Sequence, residues 1–173
     1  LPAPGTPYRI AALGKSHDRA TFDCGSAALD RYLHQQARQD TEKRVAAAFV
    51  LVEPPALRVL GYYTLCASLV NASELPATLA KKLPRYPQPP VRLIGRLAVD
   101  QNMKGKGVGQ LLLLDALRRS LEAAVNIAAM AVLVGAKDEA AETFYRHFSF
   151  LPLQQQPRRL FLPMKTIAGL FHD

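Results

Sequence analysis

The chain has no tryptophan and only two cysteines, and none of its apolar runs is long enough to cross a bilayer. A membrane-spanning helix needs about 20 predominantly apolar residues, and the longest candidates here are broken by polar ones. Cys24 and Cys66 form no CxxC pair and have no histidine beside them, which excludes a zinc knuckle or a disulfide scaffold. Both are expected as buried thiols, and the compartment as the cytoplasm. No metal-ligand spacing occurs. Leu1-Pro2-Ala3-Pro4-Gly5 lacks the basic region and apolar core of an export signal. Internal repeats and low-complexity tracts are also missing. A length of 173 residues then fits a single domain over 1–173, with 1–7 expected as a flexible leading segment. Acidic residues are the scarcer charge: 14 against 22 Lys plus Arg, for a net +8.

The excess of cations is local. Lys81, Lys82, Arg85, Arg92, Arg96, Lys104 and Lys106 face a single acid, Asp100, between positions 81 and 106. Clustering of this kind suits an anionic partner, either a phosphorylated cofactor or a nucleic acid.

The hydrophobic pattern predicts a strand at Tyr8–Leu13 and a helix at Ala27–Gln39, capped by Ser26 and carrying Leu29, Tyr32, Leu33 and Ala37. Val45–Val52 and Val59–Leu69 read as a hairpin around Glu53-Pro54-Pro55-Ala56. Tyr62 and Tyr63 then face opposite sides of a strand, one for the core and one for an acceptor groove. A short helix is expected over Glu74–Leu83, irregular chain through Pro84–Pro90, and a strand over Val91–Val99. Next come a helix at Gln110–Val125 (with Leu111, Leu114, Leu117, Leu121 and Val125), a strand at Ile127–Val134, a helix at Asp138–Phe148 and a last strand at Leu160–Met164. This order gives an α/β fold with a mixed sheet and helices on both faces.

Lys104-Gly105-Lys106-Gly107-Val108-Gly109 lies between a strand and a helix. Glycines there permit positive φ and close approach of backbone N–H groups to a ligand, and the helix N-terminus adds unsatisfied amides at its positive end. A pyrophosphate suits such a site. The Walker pattern GxxxxGK[ST] fails, because Gln110 and Leu111 follow Gly109. The dinucleotide pattern GxGxxG fails too, because its third glycine would fall on Gln110 or Leu112.

Leu97-Ala98-Val99-Asp100 followed by Lys104-x-x-Gly107-x-Gly109 resembles the acetyl-CoA signature of GNAT acetyltransferases, [Q/R]-x-x-G-x-[G/A] after the fourth strand. Lys104 departs from the family's Gln or Arg but keeps a cation. Phe22-x-Cys24-Gly25, Leu29-Asp30, Gly61-Tyr62-Tyr63, Gly95–Asp100, Asp138-Glu139-Ala140-Ala141, Phe144-Tyr145 and Leu160–Ile167 extend the likeness to the GNAT toxins of type II toxin–antitoxin systems, over roughly residues 8 to 170. Ser149 stands where that family usually has glycine. The resemblance implies a GNAT fold, acetyl-CoA as cofactor and aminoacyl-tRNA as substrate. It also implies a small DNA-binding antitoxin as partner, a homodimer, and no membrane. The implied cofactor contacts are Leu97, Ala98, Val99, Lys104, Gly105, Lys106, Gly107, Val108, Gly109, Gln110, Asp138 and Ala141. The basic residues Lys81, Lys82, Arg85, Arg92, Arg96, Arg158 and Arg159 are the expected tRNA contacts.

Acyl transfer from a thioester to an amine needs a neutral amine, donors for the carbonyl oxygen and a proton for the departing thiolate. An N–H around Leu97–Ala98 is the expected donor. Tyr145 is the acid that the resemblance implies: a phenol with a pKa near ~10 stays protonated at neutral pH. An α-amine with a pKa near ~8, lowered further by esterification, needs no strong base. None is nominated: Glu139 and Glu142 read as surface charges, and His17, His34, His147 and His172 are scattered. Two other functions fit the same residues. One is a GNAT enzyme for a small amine or a protein N-terminus, which shares the cofactor loop but ordinarily presents an acidic acceptor surface. The other is a docking module without catalysis.

Overall fold

The computed structural model describes residues 5–83 and 86–172. Positions 1–4 of the expected leading segment, and Arg85 of the expected RNA contacts, lie outside them. Seven strands form one sheet in the order β1 (Arg9–Ala12), β2 (Ala47–Val52), β3 (Gly61–Leu69), β4 (Pro90–Val99), β5 (Ala131–Gly135), β7 (Gln156–Pro163) and β6 (Leu151–Leu153). β4 and β5 are parallel, while β1–β2, β2–β3, β5–β7 and β6–β7 are antiparallel, so the sheet is mixed as predicted. Two compact units result: Leu1–Cys66 with Gly95–Ala116, and Ala67–Ile94 with Leu117–Asp173.

In the first unit, Ser26 caps α1 (Ala27–Arg31), which passes through a π-helical turn (Tyr32–Gln36) into α2 (Ala37–Glu42). The single helix expected over Ala27–Gln39 is therefore longer and carries one wider turn. Tyr32, Leu33 and Ala37 bury against Ala48, Val50 and Val52, the alternate residues of β2, together with Tyr62 and Ala98. The opposite face holds Phe49, stacked on Tyr63 at 5.2 Å, and the start of α4 (Val108–Ala124). A Cβ on Gly61 would lie 3.2 Å from both the Ala98 carbonyl oxygen and Val108 Cγ1, and 2.8 Å from the tip of the Leu112 side chain, so glycine eases the close approach of α4 there. Both tyrosines of the pair are fully buried, which corrects the expectation that one lines a groove. Each hydroxyl has a partner that makes burial tolerable: Tyr62 donates to the Leu29 carbonyl at 2.7 Å, and Tyr63 to the Asp115 carboxylate.

α4 departs from prediction in its start and in its face. It begins at Val108, and it buries Val108, Leu112, Leu113, Ala116, Leu117 and Ser120 rather than the stripe through Leu111, Leu121 and Val125. Four consecutive leucines satisfy more than one helical stripe, and the gap at Gly61 selects among them. Cys24 is buried as expected, but Cys66 is only partly so.

In the second unit, Val70, Leu75, Val91, Ala131, Leu133, Leu153 and Phe161 form the core on one face. Val132 and Val134 lie opposite Leu162 and Leu160 on the other, all four buried. α5 (Glu139–His147) and α6 (Met164–Leu170) pack against β7. Pro76 confines the helix expected over Glu74–Leu83 to α3 (Ala77–Ala80), preceded by a 3-10 turn at Ala72–Glu74. The apolar run from Ile127 is divided. The Ile127 N–H still bonds the Ala123 carbonyl at the end of α4, its side chain is exposed, and β5 starts only at Ala131. The β6–β7 hairpin is longer than the strand expected at Leu160–Met164, because Gln155 turns the chain with φ 63°.

Candidate active site

The glycine loop leaves β4 through a 3-10 turn at Gln101–Met103 and turns at Lys104–Gly107 before α4. Gly105 and Gly107 both have φ +78°, a left-handed conformation that a β-carbon disfavours. An added Cβ at either position would meet no protein atom within 4 Å, so backbone conformation rather than crowding requires glycine. The first intrahelical bond of α4 runs from Leu111 N–H to the Gly107 carbonyl at 3.1 Å. The N–H groups of Val108, Gly109 and Gln110 precede it, at the positive end of a 17-residue helix. Lys104 and Lys106 are exposed beside them. The amides of the first turn, a helix dipole and two ammonium groups fit a pyrophosphate.

Asp100 anchors this loop, a role that sequence reasoning missed. It is 1% exposed. Its Oδ1 accepts from Asn102 N–H at 2.9 Å and its Oδ2 from Asp23 N–H at 3.1 Å, with Arg58 3.8 Å away. Its own N–H bonds the Leu60 carbonyl, and Gln101 N–H bonds the Asp23 carbonyl. One carboxylate thus fixes the strand end, the turn after it and the Phe22–Gly25 segment together. A polar residue closing an apolar strand was the available signal.

On β4, Leu97 and Val99 are half-buried and Ala98 is buried. The parallel register with β5 covers Arg92–Ile94 and ends there.

Tyr145 belongs to α5 and is 6% exposed, between Phe144 at 5.3 Å and Phe150 at 5.5 Å. Burial alone pushes its pKa up to about 12, because a phenolate in apolar surroundings loses its hydration. Asp138 and Ala141 meet in the cap of this helix, where Asp138 Oδ1 accepts from Ala141 N–H at 2.8 Å. Glu142 pairs with Arg146 at 3.0 Å on the helix surface, and Glu139 is exposed, as expected of both acids. His17 and His34, scattered in sequence, line one cavity with Asp18 and Arg19.

The family model described as Acetyltransferase (GNAT) family matches residues 59–150, which include β3, β4, the glycine loop, α4, β5 and α5. The chain belongs to the GNAT acetyltransferases. A Mycobacterium tuberculosis protein named tRNA-acetylating toxin is 34% identical over 167 residues, covering 96% of each chain. The structure of AtaT complexed with acetyl-methionyl-tRNAfMet superposes with a TM-score of 0.89 at 33% identity, over 95% of this chain and 99% of that one. A tyrosine-to-phenylalanine mutant of AtaT, bound to the C-terminus of the antitoxin AtaR and acetyl-CoA, gives 0.82 at 29% identity, over 97% and 100%.

In this GNAT chain the cations singled out from sequence divide between the two units. Lys81, Lys82 and Arg158 are exposed in the second unit. Arg92 donates to the Ile127 carbonyl at 3.1 Å, and Arg159 lies 3.5 Å from Glu74 and bonds Gln156. Arg96, in the first unit, has its Cζ 3.5 Å from the Tyr32 ring centroid. Among the described residues no helix is long and apolar enough to cross a membrane.

Proposed function

We propose that this GNAT enzyme moves the acetyl group of acetyl-CoA to the α-amino group of aminoacyl-tRNA in the cytoplasm, which blocks translation until a cognate antitoxin binds. The observation that carries this reading is end-to-end similarity, over 96% of both chains, to a tRNA-acetylating toxin.

Acetyl-CoA supplies the thioester that the amine attacks, with its thiol as leaving group. The N–H groups of Val108, Gly109 and Gln110, with Lys104 and Lys106, hold its pyrophosphate at the head of α4. The main chain of Leu97 and Val99 pairs with the pantetheine arm, and an N–H at Leu97–Ala98 donates to the carbonyl oxygen. Tyr145 Oη supplies the proton. A phenol whose pKa is about 12 does not give that proton outright to a thiolate of about 8.5. It donates a hydrogen bond to the departing sulfur and yields its proton there while being reprotonated by the attacking nitrogen, which carries an extra proton once bonded to the carbonyl carbon. Tyr145 therefore ends the cycle protonated. No separate base is needed, because the substrate amine is already largely neutral near pH 8.

The test is incubation with acetyl-CoA and total aminoacyl-tRNA, followed by mass spectrometry of the released aminoacyl groups. N-acetylated amino acids are expected. Acetylation of free amines as efficiently as of charged tRNA overturns the reading in favour of a small-amine acetyltransferase.

A further inference from the structure

α1 and its π-helical turn enclose, with β4, a cavity of about 310 Å³ that the cofactor loop does not use. Its wall includes Arg31, Tyr32, Gln35, Gln36 and Arg96. Behind the wall is a stack. The rings of Tyr62 and Tyr32 are nearly parallel, 15° apart with centroids at 6.3 Å, and Arg96 Cζ sits 3.5 Å from the Tyr32 centroid. Phe22 abuts Tyr62 edge-on at 5.5 Å. Both phenols are tethered: Tyr62 to the Leu29 carbonyl, and Tyr32 to Asp40 Oδ2 at 2.8 Å, while Gln36 holds the other oxygen of Asp40 at 2.9 Å. The guanidinium of Arg96 forms no ion pair or hydrogen bond with any described residue. A planar cation with five N–H donors thus sits over a tethered aromatic ring at the edge of a cavity.

We infer that Arg96 is a stacking platform for the terminal base of a single-stranded RNA 3′ end, which occupies this cavity. The inference rests on the aminoacyl-tRNA reading and says how that substrate's end is held. Two features of the wall and one general principle favour a nucleotide over a small amine. Two guanidinium groups and no carboxylate line the wall, which repels an ammonium ion and attracts a phosphate. Gln35 offers an amide for a base edge. Stacking on a guanidinium plane is also an established way of holding unpaired bases. Position agrees. Arg96 directly precedes Leu97–Val99, the strand segment proposed to hold the thioester. The π-helical turn has a use here: a wide turn costs helix regularity, and it underlies the wall that carries Tyr32, Gln35 and Gln36.

The test uses an RNA hairpin ending in single-stranded CCA, with the terminal adenine replaced by 2-aminopurine, whose fluorescence falls on stacking. Wild-type protein is expected to quench it, and not to quench the same probe placed within the stem. A hairpin with an abasic 3′ terminus should compete roughly 5- to 150-fold less well, the usual worth of one stacked base. Arg96→Lys keeps the charge without the plane. It should lose most of the quench and lower kcat/KM for charged tRNA by a similar factor, with acetyl-CoA affinity retained. These wild-type measurements stand whether or not the variant folds. Absence of quenching by a protein that acetylates charged tRNA overturns the platform and leaves the enzymatic reading intact. Quenching without acetylation of charged tRNA does the reverse. Undiminished quenching by Arg96→Lys removes Arg96 from the role.

Discussion

Tyr145, the proposed acid, is buried, and the loss of its hydroxyl can be tested alone. Replacing it with phenylalanine keeps the rings at 144, 148 and 150 packed, so the fold and acetyl-CoA binding should survive while kcat falls by about 10²-fold or more. Wild-type turnover by Tyr145→Phe would reduce this residue to packing. The same hydroxyl shapes the pH profile. Its pKa is raised to about 12, so in the proposed role, which uses the protonated form, its contribution is complete until the pH comes within about one unit of that value. The activity–pH curve is therefore expected to rise with deprotonation of the amine, to flatten near pH ~8, and to show no descending limb through pH ~10. Stability follows the same sign. The unfolded phenol ionises near ~10, so the stability that comes from burying the neutral form is intact below that pH and lost as pH climbs through 12. The resemblance singled out Tyr145, but the aromatic rings around it were not legible in the sequence. Ser149 was legible as a departure from glycine, and the structure gives the consequence: a serine held at φ 70°.

At the scale of elements, the glycine loop and α4 were read correctly in kind because glycine spacing and the strand–helix boundary are local signals. Which face of α4 turns inward was not legible, since Leu111–Leu114 fits several stripes and the deciding gap lies in β3, at Gly61. The π-helical turn and α6 left no periodic trace long enough to read, and the β6–β7 hairpin hides behind Gln154, Gln155 and Gln156. Gly107→Val tests the loop. The new side chain meets no protein atom but is forced into a left-handed conformation, at about 1–2 kcal/mol. The apo protein should therefore stay folded, while the wild-type thermal shift at 100-fold excess acetyl-CoA over Kd, about 5–10 °C, should vanish. An unchanged shift would remove the loop from the cofactor site.

For the whole molecule, a net charge of +8 frames the acceptor. An amino acid alone offers little binding energy, whereas a polyanion offers many contacts that place its amine. Reversal of Lys81 and Lys82 to glutamate should raise KM for charged tRNA and flatten the logarithmic salt dependence by about 0.7–0.9 for each phosphate no longer neutralised. Acetyl-CoA affinity is expected to hold. A salt slope that both reversals leave unchanged would move the RNA path elsewhere. The carboxylate of Asp100 has one more consequence, for the timing of biosynthesis. Its bond to Asp23 spans 77 positions, so the glycine loop lacks one of its anchors until the far end of β4 has been translated and has closed on the Phe22–Gly25 segment. For more than half of its own synthesis the nascent chain therefore lacks the anchor that fixes this loop.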